Sequence, residues 1–307
     1  MAKEYDIVII GAGPAGLAAG LYAARARRST VIIEKNVTGG QIALTSEIEN
    51  YPGIDMINGF DLGQAMQQQA EKYGAEMAYV GVTGIEPQEG GHLVRTDDGD
   101  YLAKALIITS GADYNRLGVP GEDRLIGHGV SYCGTCDAAF FKDQEVAVVG
   151  GGDAAMDEGL FVSRYASRVH VIHRRDALRA SAVLQERAYA NDKMNFVWDT
   201  VVDSIDGDDD VKSLHLRNLK SGEERDFPVD GVFIFIGQTP NSGFLDGVVD
   251  MDAGGHVIVN EWMETNVPGI FAAGDIRNNS ARQVVASAGD GATAAIRADH
   301  YIANHFK

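Results

Sequence analysis

The two cysteines of the 307-residue chain stand three positions apart, as Cys133-Gly134-Thr135-Cys136, and Asp137 follows them directly. On a helical turn, Cα atoms at this spacing are about 5–6 Å apart, within the range of about 4.4–6.8 Å that a disulfide needs. Cys-x-x-Cys pairs commonly have lowered thiol pKa values, which favours thiolate chemistry. The adjacent carboxyl group can give or take the proton of a departing thiol. We therefore predict a redox-active dithiol with three catalytic residues, Cys133, Cys136 and Asp137.

Two other interpretations of the cysteine pair stay open at this point. A structural zinc site takes about four ligands, commonly from two such pairs, whereas this sequence has one pair and no His-x-x-x-His close to it. Two inert buried thiols are the second alternative. The redox interpretation is favoured because a glycine-rich segment typical of nucleotide sites begins soon afterwards, at Gly150. We predict no metal site, and we interpret the acidic run 206–210 as a solvated loop.

A first glycine-rich segment opens the chain, as Gly11-Ala-Gly-Pro-Ala-Gly16. The apolar run 5–10 before it predicts a buried parallel strand, and the alanine-rich stretch 17–28 after it predicts a helix. A second strand, 29–33, leads to Glu34, whose carboxylate can accept hydrogen bonds from ribose hydroxyls. Glycines in this order allow a tight turn, a close approach of pyrophosphate and close packing of the helix. The segment therefore predicts a dinucleotide site.

The same order of features recurs in the middle of the chain. A strand, 145–149, precedes Gly150 and Gly152, with Ala155 in place of the third glycine. A helix to about residue 164 follows, and then a further strand, 168–172. Because the spacing repeats, we predict a second dinucleotide site.

One position differs between the two copies and assigns the two nucleotides. The slot of Glu34 is taken in the second copy by His173, which is followed by three arginines, Arg174, Arg175 and Arg179. A carboxylate repels a 2′-phosphate, whereas guanidinium groups bind phosphate through charge-assisted, often bidentate hydrogen bonds. The first site therefore fits FAD, and the second fits NADPH better than NADH. A solvated basic patch is the alternative, although the chain has a net charge of −18.

Each half also has a return strand, 105–112 in the first and 232–237 in the second, so a βαβ nucleotide-binding unit occurs twice. We predict an α/β protein of two Rossmann-like, doubly wound, three-layer nucleotide-binding domains, the second inserted in the first. Residues 60–80 are predicted to form a further helix. The predicted domains are an FAD-binding domain of residues 1–113 and 244–307 and an NADPH-binding domain of residues 114–243, which carries the Cys-x-x-Cys pair.

With these motifs, essentially the whole chain resembles the low-molecular-weight thioredoxin reductases, which are FAD-dependent pyridine nucleotide-disulphide oxidoreductases. The segments that carry the resemblance are 131–137, 150–155 and 173–181, together with Gly39-Gly-Gln41, Asn50-Tyr-Pro-Gly53 and Gly274-Asp275. The resemblance implies that Cys136 lies against the flavin, that Cys133 attacks the disulfide of thioredoxin, and that Asp137 exchanges the proton.

The resemblance also implies which residues bind the cofactors. Asp275 is expected to hydrogen-bond the ribityl–phosphate part of FAD. The other residues expected at the flavin nucleotide are Gly11, Gly13, Pro14, Ala15, Gly16, Glu34, Gly39, Gln41, Asn50, Arg282, Gln283 and Val284. Those expected at NADPH are Gly150, Gly152, Asp153, Ala154, Ala155, His173, Arg174, Arg175 and Arg179. Further expected cofactor contacts are Lys35, Gly40, Gly111, Gly237 and Gly274.

Composition excludes several other classes of function. The net charge of −18 argues against nucleic-acid binding, which needs a basic surface. No apolar run approaches the roughly 20 residues of a membrane span. The apolar stretch 12–24 is interpreted as the first helix and not as a signal peptide, because Glu4 and Asp6 precede it. Without an export signal and with a reactive dithiol, the protein is expected in the cytoplasm.

The predicted activity passes electrons from NADPH through FAD and the Cys133–Cys136 disulfide to oxidised thioredoxin. The resemblance implies a two-fold homodimer. It also implies a rotation of the inserted domain, since one flavin must meet both the dithiol and the nicotinamide. The alternatives are a flavin-dependent dithiol oxidase, a reductase of another small disulfide carrier, and a non-enzymatic flavoprotein such as a redox sensor.

Overall fold

The computed structural model describes residues 2–45, 48, 50–88 and 90–306. It divides into two compact units. The first contains the chain up to Asp113 and again from Thr239, and the second is Tyr114–Gln238. The chain thus returns to the first unit after residue 238, somewhat before the predicted boundary at 243. Within the described residues, no helix is both long and apolar enough to span a bilayer.

The chain combines α-helices with β-strands, as expected for an α/β protein. Those of the first unit are β1 Lys3–Ile10, α1 Pro14–Arg25, β2 Thr30–Glu34, α2 Gly59–Lys72, β3 Glu76–Tyr79, β4 Val82–Gln88, β5 Gly91–Thr96, β6 Tyr101–Ile108 and β7 Ala112–Tyr114. The second unit has β8 Val130–Ser131, α3 Gly134–Asp137, β9 Glu145–Val149, α4 Asp153–Val162, β10 Arg168–Ile172, α5 Ala182–Tyr189, β11 Met194–Val197, β12 Thr200–Gly207, β13 Val211–Asn218, β14 Glu224–Pro228 and β15 Gly231–Ile234. The chain then continues with β16 Gln238–Pro240, β17 Ile270–Ala272 and α6 Val284–His305.

The first unit is built on parallel strands in the order β3-β2-β1-β6-β17. Ile10 pairs with Ile33 of β2 and Ile108 of β6, so these strands end at one edge of the sheet. Successive side chains point to opposite faces. Ile7 and Ile9 therefore pack with the helices α1 and α6, while Val8 and Ile10 pack on the other face with residues of β4, β5 and the segment 245–276.

The second unit repeats this arrangement with strands in the order β11-β10-β9-β15-β8. Val149 pairs with Ile172 and Ile234, which again brings the strand ends to one edge. One face of the sheet packs against α4 and α5. The other face packs against the antiparallel sheet β12-β13-β14.

The predicted α/β class with two nucleotide-binding units in three layers is confirmed, with one difference in the third layer. In both units this layer consists of antiparallel strands, β4–β5 in the first and β12–β14 in the second, instead of helices. The reason is that short turns join these strands into meanders, which cover the sheet without a crossover helix. The prediction of a helix over 60–80 was wrong beyond Lys72, because Gly74 adopts a left-handed φ of 104° and strand β3 follows.

Helices α1 and α6 approach each other closely at one glycine. A Cβ added to Gly291 would lie 1.9 Å from the carbonyl oxygen of Ala15, whereas a Cβ on Gly289 would meet no atom within 4 Å. Ala15 belongs to the glycine-rich segment at the start of α1. The close contact therefore fixes α6 against the helix that follows the first glycine turn.

Gly291 and Gly289 lie on the same helix but differ in this contact, so substitutions at the two positions can be compared directly. We expect Gly291→Ala to lower the free energy of unfolding by about 1–3 kcal/mol, the usual cost of overpacking, because backbone cannot move aside easily. Gly289→Ala should be neutral or stabilising by about 0.5–1 kcal/mol, since alanine is favoured over glycine in a helix. Urea unfolding of the two variants measures both effects, and equal stabilities would contradict the proposed packing.

Candidate functional site

The two cysteines form a disulfide with a Cα–Cα distance of 5.3 Å. Cys133 directly precedes the short helix α3, and Cys136 lies within it. The turn packs against α4, because a Cβ on Gly134 would lie 2.5 Å from Glu158 Oε2. The amide of Thr135, between the two cysteines, donates to the same carboxylate oxygen at 3.0 Å. The helix that begins at the second glycine turn therefore also supports the disulfide.

Asp137 is placed beside the disulfide by a hydrogen bond as well as by its sequence position. The hydroxyl of Ser131, at the end of β8, donates to Asp137 Oδ2 at 2.6 Å. Burial raises the pKa of Asp137, and the hydrogen bond from Ser131 opposes this rise by stabilising the carboxylate. A carboxyl group with a raised pKa can hold a proton closer to neutral pH, as a proton donor requires. Neither Ser131 nor Glu158 was expected at the site from the sequence, although Ser131 lies only two positions before Cys133.

A buried carboxylate fixes the strand that leads into the disulfide. Glu122 is only 2% exposed and accepts the hydroxyl of Tyr132, which directly precedes Cys133, at 2.7 Å. It also accepts the amides of Leu117 at 3.0 Å and Gly118 at 2.7 Å. Burial, followed by this hydrogen bond, raises the pKa of Tyr132, so the phenol remains a donor. The sequence offered no signal for this contact, because a glutamate in a loop is ordinarily solvated.

The first glycine turn forms a cradle at the N-terminus of α1. Gly11 has φ +106°, and a Cβ there would lie 2.3 Å from the carbonyl oxygen of Thr109. A Cβ on Gly16 would lie 1.9 Å from the carbonyl oxygen of Gly11. Gly13, in contrast, has open space in front of it and provides no side chain to cap α1. Pro14 is the first residue of the helix. The remaining free amides at this helix end can bind the pyrophosphate of a dinucleotide.

Glu34 stands at the end of β2, beside this cradle. Its carboxylate accepts the amides of Ala12 and Asn36, each at 2.8 Å. A carboxylate has about four lone-pair positions, so it can accept ribose hydroxyls in addition. Lys35, the next residue, is exposed. The residues present thus fit the adenosine part of FAD.

The segment after β2 turns back over the glycine cradle. The amide of Gly39 donates to the carbonyl oxygen of Ala12 at 2.8 Å, and a Cβ on Gly40 would lie 3.4 Å from Cα of Gly13. Gln41 donates its side-chain amide to Asp113 at 2.6 Å. Gly39 and Gly40, both predicted cofactor contacts, therefore lie next to the glycine cradle, and Gln41 follows them directly.

The predicted C-terminal flavin residues lie around the start of α6. Asn50 donates to Gln283, the residue that precedes α6, at 3.3 Å, and Val284 is the first residue of the helix. Arg282 has a left-handed φ of 54°. Gly111 has φ 67°, and its carbonyl oxygen accepts the amide of residue 241 at 3.0 Å.

Asp275 follows β17 at the edge where the parallel strands end. It accepts the hydroxyl of Ser280 at 2.8 Å. A Cβ on Gly274 would lie 2.9 Å from Cβ of Ala15, which places this turn against the start of α1. Asp290 on α6 accepts the Gly274 amide at 3.2 Å and also pairs with Arg277. Asp290 was not expected here from the sequence, although it holds the turn that carries Asp275.

The second glycine turn repeats the geometry of the first. Gly150 has φ +150°, and a Cβ there would lie 2.4 Å from the carbonyl oxygen of Phe235, whereas Gly152 faces open space. Helix α4 begins at Asp153, after Gly152, without a side-chain cap. Ala155 is buried directly behind Gly150, and Ala154 is exposed. The free amides of α4 can therefore bind a second pyrophosphate.

His173 takes the position in the second copy of the repeat that Glu34 takes in the first, but its environment is different. Its side chain is 5% exposed, and its ring lies so close to Gly151 that a Cβ there would be 2.4 Å from it. Burial lowers the pKa of His173, and the nearby Arg179 and Arg175 lower it further. The lowered pKa favours the uncharged form of the imidazole.

The three arginines after His173 are exposed and closely associated with the second glycine turn. The amides of Arg179 and Ala180 donate to the carbonyl oxygen of Gly151, at 2.6 and 3.2 Å. In the described part of the chain, no carboxylate pairs with Arg174, Arg175 or Arg179. Three guanidinium groups without a carboxylate partner among the described residues could bind an anion, in a protein whose net charge is −18.

Asp153, a predicted NADPH contact, borders this cradle, and Gly237, a further predicted cofactor contact, lies in the strand connection after Phe235. Asp153 Oδ1 accepts the amide of Ser181 at 2.5 Å, which ties the arginine segment to the start of α4. Gly237 has φ 106°, and its carbonyl oxygen accepts the amide of Asn115 at 3.0 Å. The predicted NADPH residues are thus grouped around one turn, and the residues present fit a phosphorylated dinucleotide.

Comparison with known proteins agrees with this arrangement. The family model described as pyridine nucleotide-disulphide oxidoreductase matches residues 5–291. The thioredoxin reductase of Bacillus subtilis is 46% identical over 301 residues, which cover 98% of this chain and 95% of that protein. The crystal structure of thioredoxin reductase from Streptococcus pyogenes, 45% identical, superposes with a TM-score of 0.95 over 99% of this chain and 100% of that one.

A more distant relative superposes nearly as well. The thioredoxin reductase from Giardia duodenalis is 36% identical and has a TM-score of 0.93, with 98% of this chain and 99% of that chain covered. Because the likeness extends over the whole length and includes both glycine turns and the cysteine pair, the chain belongs to the pyridine nucleotide-disulphide oxidoreductase family, among the low-molecular-weight thioredoxin reductases.

Proposed function

We propose that this oxidoreductase is an NADPH-dependent reductase of thioredoxin that uses FAD and the Cys133–Cys136 disulfide. The observation that carries the proposal is the disulfide itself, with Asp137 beside it and helix α4 beneath it. The same helix begins at the second glycine turn, so one element supports both the disulfide and the proposed NADPH site. The relatives named thioredoxin reductase support thioredoxin as the substrate.

FAD, when bound, supplies a two-electron carrier between the nicotinamide and the disulfide. The first glycine turn, Glu34 and the segment that carries Asp275 would hold it. The second glycine turn would hold the pyrophosphate of NADPH. Arg174, Arg175 and Arg179 would bind its 2′-phosphate.

The proposed reaction with thioredoxin consists of two disulfide exchanges. The thiolate of Cys133 attacks one sulfur of the thioredoxin disulfide, and a mixed disulfide forms while the other thioredoxin sulfur leaves. The thiolate of Cys136 then attacks Cys133, which re-forms the Cys133–Cys136 disulfide and releases reduced thioredoxin. Asp137 gives its proton to a departing thiolate, so the two protons on reduced thioredoxin come from this carboxyl group and from solvent.

Three further parts of the proposal come from the family and from chemistry. We infer a homodimer, and a cytoplasmic location where a dithiol of this kind stays reducible. Rotation of the inserted domain stays a prediction. A flavin-dependent dithiol oxidase would consume oxygen with dithiols, which separates it from the proposed reductase.

The cysteine roles can be tested with two variants in anaerobic rapid mixing. NADPH should bleach the flavin of the wild-type protein, and oxidised thioredoxin should then restore its colour. Cys133→Ser should lose this reoxidation and form no mixed disulfide, because it lacks the attacking sulfur. Cys136→Ser should retain Cys133 and form a mixed disulfide that is stable on a non-reducing gel when the thioredoxin's own second cysteine, which could expel Cys133, is replaced by serine. Trapping by Cys133→Ser instead would reverse the assignment.

The arginine assignment predicts a nucleotide-specific loss. Hydrogen bonds to charged groups contribute about 1.5–3 kcal/mol, so Arg175→Ala should weaken NADPH binding by roughly 10–150-fold. NADH, which lacks the 2′-phosphate, should bind this variant about as well as the wild type. Arg187→Ala, an exposed arginine at the end of α5, is the control and should change neither affinity. Titration of each nucleotide measures the two affinities, and an equal loss for both would show that Arg175 does not contact the 2′-phosphate.

A further inference from the structure

Ser131 lies at the centre of the hydrogen bonds that connect the disulfide with Asp137. Its hydroxyl oxygen accepts the amide of Cys133 at 3.1 Å. The single hydroxyl hydrogen has two acceptors in reach, Asp137 Oδ2 at 2.6 Å and the carbonyl oxygen of Cys133 at 3.2 Å. One hydrogen cannot serve both acceptors fully, so the hydroxyl has two alternative orientations.

The protonation state of Asp137 decides between these orientations. An ionised carboxylate is a stronger acceptor than a peptide carbonyl, because hydrogen bonds to charged groups are shorter and stronger. When the carboxyl group is protonated, this advantage is lost, and the Cys133 carbonyl becomes a competitive acceptor. The orientation of one hydroxyl group thus follows the proton on Asp137.

The surroundings of Ser131 restrict it to these partners. The residue is 4% exposed, so bulk water does not compete for its hydroxyl. Ser131 lies on β8, where it pairs with Phe233 of β15, so the parallel sheet of the second unit fixes its backbone.

The charged groups near the turn have other partners. Glu158, on the helix that packs against α3, accepts the amide of Thr135. Glu122 accepts the hydroxyl of Tyr132. The segment Ala138–Phe141 that follows the turn has only alanine and phenylalanine side chains. Ser131 is therefore the group that most directly affects the carboxylate of Asp137.

We propose that Ser131 is a positioning residue for proton transfer at the disulfide: its hydroxyl holds the ionised Asp137 carboxylate and turns to the Cys133 carbonyl when that carboxyl group is protonated. This inference rests on the proposed role of Asp137 as the proton donor. In the step concerned, the O–H bond of the Asp137 carboxyl group breaks, the departing thiolate gains an S–H bond, and the Ser131 hydroxyl moves to the carboxylate. Solvent later returns a proton to Asp137, and the hydroxyl turns back.

The test compares Ser131→Ala with the wild-type holoenzyme. Loss of the hydrogen bond destabilises the ionised carboxylate, so the midpoint of Asp137 protonation should move upward by about one to two pH units. Infrared difference titration of the carboxyl C=O band measures this midpoint directly, and the band is assigned by its absence in Asp137→Asn. The limb of the pH–rate profile that Asp137→Asn abolishes should move upward by the same amount.

A pair of variants of equal shape separates the hydroxyl group from simple packing. Ser131→Thr retains the hydroxyl and should keep the wild-type midpoint, whereas Ser131→Val has the same shape without it and should behave as Ser131→Ala does. This pair keeps the proposal testable if the alanine variant fails to bind flavin. An unchanged midpoint in both Ser131→Ala and Ser131→Val would overturn the proposal.

The outcome for Asp137→Asn distinguishes this inference from the function on which it rests. If Asp137→Asn turns over thioredoxin at the wild-type rate, Asp137 is not the proton donor, and the positioning role fails with it even where the infrared midpoint moves. If Asp137→Asn loses turnover while the midpoint stays fixed in Ser131→Ala, the proton donor is correct and the role of Ser131 is wrong. Loss of turnover together with a moved midpoint supports both.

Discussion

Both nucleotide sites depend on one constraint, which is the contact of a glycine with a backbone carbonyl group where a parallel strand passes into a helix. In the first unit this glycine is Gly11, against Thr109, and in the second it is Gly150, against Phe235. Any side chain at either position would push the helix away from the neighbouring strand. Because the contact leaves the helix N-terminus at the sheet edge with free amides, the same constraint creates the fold and the anion site.

Helix α4 extends this constraint to the redox chemistry. Its first residue follows the glycine turn, and one turn and a half further along Glu158 holds the amide between the two cysteines. The same helix therefore contacts the turn that carries the disulfide and provides the proposed pyrophosphate site at its N-terminus. Helix α1 contains no carboxylate that could make such a contact, and it packs closely against α6 instead.

The features that could be predicted from the sequence are those that depend on residues close to one another along the chain. The glycines before each helix and the Cys-x-x-Cys spacing both follow from chemistry within a few residues. Features that depend on distant segments could not be read in this way. Glu122 reaches Tyr132 across a loop, Asp290 reaches Gly274 from another helix, and the antiparallel third layers arise from how separate strands pair. Even the burial of His173 required knowing that its ring lies on Gly151.

The arginines that follow His173 have a consequence for the response of the proposed NADPH site to acid. The positive charge there comes from guanidinium groups, which stay protonated at every physiological pH. A phosphate monoester, in contrast, gains a proton with a pKa near about 6. On mild acidification, the guanidinium groups keep their charge while a phosphate monoester loses part of its own, so the proposed contact with a 2′-phosphate weakens as the nucleotide is protonated.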